Sequence, residues 1–142
     1  MILFGEFNVF SPAEVLAILH KLRATLHPAG RLILEIQTYE AGERAGHCDP
    51  SEQRFPSGLF SDQPYHCRTE SRWLPGEEVA VQTFSVTELA GGRKQVYRST
   101  TQAWSDGDLA DLLSNSGFSE AAPRDQWPCN TDALRLWVAR VN

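Results

Sequence analysis

Glu6 and Asn8 are the first residues whose types and placement could do chemistry. They stand in Gly5-Glu6-Phe7-Asn8-Val9-Phe10, which leaves the short apolar run Ile2-Leu3-Phe4. In open α/β sheets, ligands sit beyond the carboxyl ends of parallel strands, and this segment falls at such an end. A carboxylate there can orient a cationic amine or act as base for a hydroxyl, and a carboxamide can hydrogen-bond the same ligand. Gln37, Thr38 and Tyr39 reach the same edge from the end of a second apolar run. The competing reading is that Glu6 and Asn8 are turn residues that satisfy the loop's own backbone.

Three elements must position these groups. Ile2-Leu3-Phe4 reads as a short strand. Ser11-Pro12-Ala13-Glu14 is a helix start, with Ser11 as cap, Pro12 at the first helical position and Glu14 closing a capping box. Val15, Leu19, Leu22 and Leu26 then recur on one helical face. His27-Pro28-Ala29-Gly30 stops the helix. Leu32-Ile33-Leu34-Glu35-Ile36 is apolar at consecutive positions, which predicts a strand covered on both faces. Strand, helix and strand make a βαβ unit over residues 1–38, with parallel strands and a right-handed crossover. No element precedes Ile2, so its strand is expected to have an exposed or borrowed neighbour, a dimerisation hazard.

Other chemically able residues carry weaker readings. Glu35 on a buried strand needs a partner, and pairing with Arg31 or Arg135 is the expectation. His47-Cys48 and His66-Cys67, with Cys129, could be offered to zinc. Adjacent ligands chelate poorly and no C-x-x-C spacing exists, so no metal site is assigned. Trp73, Trp104, Trp127 and Trp137 fit core or interface roles. Trp104, beside a helix cap, is kept as a candidate for lining a pocket.

Composition narrows the partners. The chain has 142 residues and a net charge of −5, with no basic cluster. That argues against a nucleic-acid backbone as main partner. No apolar run approaches a membrane span, and the start does not read as a signal peptide. Three widely spaced cysteines predict free thiols in a reducing, cytoplasmic setting.

One domain over 1–142 is expected. Residues 39–60 read as a long loop with at most a short helical turn, because glycine, proline and polar residues dominate. Strand-like runs at 65–74, 78–89 and 94–104, separated by Pro75-Gly76 and Gly91-Gly92, predict a three-stranded antiparallel meander inserted over 61–104. Val79 and Val81 fall on one face of the middle run and Phe84 and Val86 on the other. This phase change predicts a bulge or a change of packing partner. The third run is polar on both faces and fits a wet cavity or a subunit contact. Ser105-Asp106-Gly107-Asp108 caps a second helix. Phe118 to Ala122 and the alternating run from Leu134 to Val141 are closing strands, completing a segment at 105–142.

Leu26-His27-Pro28-Ala29-Gly30-Arg31-Leu32-Ile33-Leu34-Glu35 resembles the segment that joins the fourth helix to the fifth strand in class I S-adenosylmethionine-dependent methyltransferases. Ala29 replaces the first glycine of that pattern. Ser116-Gly117-Phe118, after a capped helix and before two closing strands, resembles the same family. The run from Tyr97 to Ser105 looks like the end of an antiparallel insertion that some small-molecule members carry over the active site. The resemblance covers nearly the whole chain but only the carboxyl half of the family fold. It implies an α/β fold, a partial Rossmann-like sheet with Met1 inside the fourth strand.

The resemblance also implies the chemistry. The complete family transfers a methyl group from S-adenosylmethionine to a small-molecule acceptor by in-line displacement, chiefly through positioning. Glu6 and Asn8 would face donor and acceptor as catalytic groups, with Gln37, Tyr39 and Trp104 binding the acceptor. The family's glycine-rich loop and ribose-binding acid cannot be placed here. No residue is therefore assigned to cofactor binding, and the chain alone is expected to hold no donor. It would be a truncated or split enzyme needing an amino-terminal half. A rival reading is a non-catalytic homodimeric module that uses the antiparallel strands as its interface. A third is an unrelated small-ligand pocket under the meander.

Overall fold

The computed structural model describes residues 1–141. The chain divides into two compact units, Met1–Gly42 with Thr101–Asn142, and Glu43–Thr100. The excursion from the first unit thus begins earlier than the expected residue 61.

The first unit is a sheet with helices. Helix α1, Pro12–Thr25, starts where the capping box predicts: the Glu14 N–H donates to Ser11 Oγ, and the Ser11 N–H donates to Glu14 Oε2 at 2.8 Å. Strand β1 is Arg31–Gln37. Strand β6, Phe118–Pro123, and strand β7, Leu134–Val141, complete a sheet of order β1-β7-β6, with β7 antiparallel to both neighbours. Helix α3, Asp106–Asn115, is capped by Ser105. Leu32, Leu34 and Ile36 of β1 pack in one buried cluster with Val15 and Leu19 of α1, Leu109 and Leu113 of α3, and Trp137 and Ala139 of β7. The reverse face of β1 is covered at Glu35 but only half-buried at Ile33, so coverage there is less complete than its apolar run predicts.

The first predicted strand shrinks to one parallel bridge, Ile2 to Leu34. Its ladder is Ile2 N–H to Ile33 O at 3.0 Å, Glu35 N–H to Ile2 O at 2.8 Å and Gly5 N–H to Glu35 O at 3.0 Å. The βαβ connection is therefore present, with a minimal first strand. Phe4 and Gly5 both take left-handed φ, 58° and 70°, which turns the chain out of the sheet. A 3₁₀ turn, Glu6–Val9, follows.

The second unit holds a four-stranded antiparallel sheet, where the sequence predicts three strands. Its order is β2-β3-β4-β5, with β2 Ser51–Phe55, β3 Tyr65–Leu74, β4 Val79–Glu88 and β5 Lys94–Gln102. The expected loop at 39–60 instead contains helix α2, Tyr39–Gly46, and edge strand β2. Ser-Glu-Gln-Arg has neither apolar alternation nor strong strand propensity, and only pairing with β3 makes it a strand. Toward β3, no bulge interrupts β4: the two strands stay in register from Tyr65 opposite Glu88 to Leu74 opposite Val79. Ala80 and Val86 are the buried residues of β4 and share a face with Phe84. The small Ala80 opposite Trp73 continues a face that the valines at 79 and 81 obscure.

Candidate functional site

The groups singled out by sequence converge at the carboxyl end of β1 in the first unit. Asn8 is buried, and its amide is spent on two backbone groups. Its Oδ1 accepts the Gln37 N–H at 2.9 Å, and its Nδ2 donates to the Gln102 carbonyl at 2.8 Å. A buried amide so engaged ties three chain segments together and satisfies groups that would otherwise be orphaned. Asn8 satisfies backbone groups as a turn residue does, but over long range, tying the turn to Gln37 and Gln102. Glu6, two residues earlier on the 3₁₀ turn, is exposed. It is the one carboxylate that this turn presents to solvent at the strand end.

Gln37 is half-buried and joined to Asn8 through its backbone. Tyr39, also half-buried, opens α2 just beyond it. Trp104 reaches the same turn through Phe7, the two ring centroids 6.4 Å apart. It packs on the main core cluster, and its buried Nε1 is the only buried side-chain nitrogen or oxygen without a hydrogen-bond partner among the described residues. So Asn8, Gln37 and Trp104 share one neighbourhood built on the Phe7-Asn8 turn.

Glu35 does not pair with an arginine. Its Oε2 accepts the Phe4 N–H at 2.7 Å. Arg135 is engaged elsewhere, with Asp106 at 2.8 Å. Sequence reasoning missed this because the partner is a backbone group, which leaves no charge signature.

Gly42 brings α2 close to the same neighbourhood. A Cβ there would stand 3.1 Å from the Ala103 Cβ. The glycines that made 39–46 read as loop are thus contact residues.

The donor of the family needs backbone N–H groups at a glycine-rich strand-to-helix turn. Among the described residues no such turn exists. Gly91-Gly92 closes the β4–β5 hairpin, where the Glu88 N–H donates to Arg93 O at 2.9 Å, and Gly42 lies inside α2. The glycine-rich turn that holds the donor in the family is therefore not among the described residues. Among the described residues no three His, Cys, Asp or Glu groups are arranged for a metal, and the three cysteines are free. No helix among them is long and apolar enough to cross a membrane.

With this geometry in place, the chain has the fold of the carboxyl-terminal half of a class I S-adenosylmethionine-dependent methyltransferase. A methyltransferase of Clostridium acetobutylicum matches 98% of this chain at TM-score 0.64 and 8% identity, over 56% of its own length. The CcbJ methyltransferase of Streptomyces caelestis matches 98% at TM-score 0.64 and 14% identity, over 58% of its length. The sugar N-methyltransferase KedS8 of Streptoalloteichus matches 99% at TM-score 0.62 and 13% identity, over 54% of its length. The chain therefore spans little more than half of the solved methyltransferases it matches. No protein-family profile matches the sequence, and no curated protein matches it.

Proposed function

We propose that this chain is the acceptor-side part of an S-adenosylmethionine-dependent methyltransferase acting on a small molecule. It would work with a donor-binding part carried in the same polypeptide or in a second one. The observation that carries the reading is the placement of exposed Glu6 on a turn fixed by Asn8, at the carboxyl end of a parallel strand pair in this sheet. Glu6 orients an amine or takes a proton from a hydroxyl. Asn8 positions the turn, and Gln37, Tyr39 and Trp104 shape the acceptor side.

Exposed apolar side chains beside Ile2 fit a further part that would cover them. Met1 and Phe4 there are 75% and 80% exposed, large apolar side chains on an unpaired sheet edge. The test is methyl transfer from labelled donor to a panel of small amines and alcohols. The chain is assayed alone, and also joined to or mixed with the product of the coding sequence immediately upstream. Transfer by the combined form, lost in Glu6→Gln with folding intact, is expected. No transfer by any combination contradicts the reading.

A second reading is a non-catalytic homodimer pairing through β5, an edge strand whose Val96 is 59% exposed. Light scattering separates the two: a strict monomer at high concentration removes the second.

A further inference from the structure

The loop between β6 and β7 is built more tightly than its sequence, rich in polar and turn-forming residues, suggests. Asn130 is its internal strut. Its Nδ2 donates to the Arg124 carbonyl at 2.7 Å, and its Oδ1 accepts the Leu136 N–H at 3.0 Å. The Arg124 N–H donates to Leu136 O at 2.8 Å, and two successive turns, Arg124 to Trp127 and Trp127 to Asn130, close the loop. Thr131 Oγ1 accepts both the Ala133 and Leu134 N–H groups. On this frame Trp127 is held 39% exposed. The bonded backbone fixes where Trp127 leaves the loop, and its indole presents an apolar surface to solvent there.

A depression of about 470 Å³ lies beside it, lined by Pro123, Arg124, Asp125, Gln126, Trp127 and Leu136. That size suits a small ligand. The depression and the candidate site lie at the same end of the sheet. Leu134 is opposite Gln37, and the Thr38 N–H donates to Ala133 O at 2.9 Å.

The lining points to a ligand class. Arg124 and Asp125 have opposite charges, and among the described residues neither is in an ion pair. Their charges cancel, so the pocket offers no net attraction to an ion. The guanidinium only donates, the carboxylate only accepts and the Gln126 amide does both. A ligand that satisfies all three must donate and accept around one ring, and it must also present an apolar face to the indole. Hydroxyl groups on a saturated ring do this without any charge, whereas an ion carrying only a carboxylate or only an ammonium leaves one protein charge unmatched. We infer that this pocket binds a neutral polyhydroxylated ring of the pyranose kind through Trp127, Arg124, Asp125 and Gln126. That the ring is part of the methyl acceptor rests on the function proposed above; the binding itself does not.

The test uses the full chain without methyl donor, so binding is judged apart from catalysis. Saturation-transfer NMR is run with methyl glucopyranoside, methyl xylopyranoside, benzoate and benzylamine as probes. Saturation of the glycoside ring C–H protons is expected, with affinity about tenfold lower in Trp127→Ala and largely kept in Trp127→Phe. Circular dichroism checks the folding of each variant, and Asp125→Ala gives a second reading of the same loss without touching the indole. Three results overturn the inference: no transfer to either glycoside, transfer unchanged by both alanine variants, or preference for a charged probe over the glycosides. A glycoside that binds at Trp127 while no compound is methylated in the transfer assay sinks the proposed function and leaves the site standing.

Discussion

The Phe4 N–H donates to the Glu35 carboxylate at 2.7 Å, across thirty-one residues of sequence. One acidic side chain, buried on β1, thereby holds the residue at which the chain turns out of the sheet toward Glu6. Phe4 has φ 58°, a conformation that costs a residue with a Cβ roughly 1 kcal/mol or more. The Glu35 contact offsets part of that cost. Replacing Glu35 by alanine should destabilise the first unit by about 2 kcal/mol, because a donor loses a charged acceptor. Glu35→Gln, which keeps an acceptor oxygen, should lose less. Urea unfolding measures both, and hydrogen exchange should show the Phe4 amide losing protection in Glu35→Ala.

Asn8 separates positioning from acceptor contact. Asn8→Ala strands the Gln37 N–H and the Gln102 carbonyl and should cost about 3 kcal/mol. Asn8→Asp keeps an acceptor for Gln37 but turns a carboxylate oxygen toward the Gln102 carbonyl, so it should be no better. Equal stability of Asn8→Asp and wild type in urea would show that the Nδ2 contact contributes nothing.

In the second unit, Gly46 is fixed by close approach. A Cβ at this position would lie 2.9 Å from both Cα and Cβ of Trp73. An exposed helical glycine gains up to about 1 kcal/mol on becoming alanine. Here overpacking should reverse the sign, with Gly46→Ala losing about 2 kcal/mol. Thermal unfolding gives the sign directly, and Trp73 emission should shift as the ring is displaced.

The α1 cap makes a pH-dependent contribution. The Ser11 hydroxyl, and then its backbone N–H, donate to the Glu14 carboxylate and hold it below its ordinary value of 4.5. The folded value is lowered, so this contribution is present above that ordinary value and is lost as pH falls through the depressed one. Glu14→Gln should therefore be less stable than wild type near neutrality, with the gap closing in acid. Melting temperatures of the two proteins across that window check it. Because Glu14 is exposed, the gap is small and shrinks with added salt.

Elements with their own local chemistry were legible in the sequence. Ser11, Pro12 and Glu14 mark the start of α1, and the glycine and proline pairs mark the hairpins. The unbroken apolar run at 32–36 marks a strand. What was not legible depended on contacts across the chain. β2 is a strand only because β3 pairs with it, and α2 hides behind glycines that Ala103 and Trp73 require. At the site, position was readable and role was not. Asn8 and Gln37 were placed at one edge by topology, yet Asn8's partners are backbone groups. Glu35's partner is likewise a backbone N–H.

The most direct measurement is a calorimetric titration of S-adenosylmethionine into the 142-residue chain. The account assigns this chain to the acceptor side and predicts no saturable heat in the micromolar range. A micromolar dissociation constant for the chain alone would contradict it, because these residues would then hold the donor without the family's glycine-rich turn.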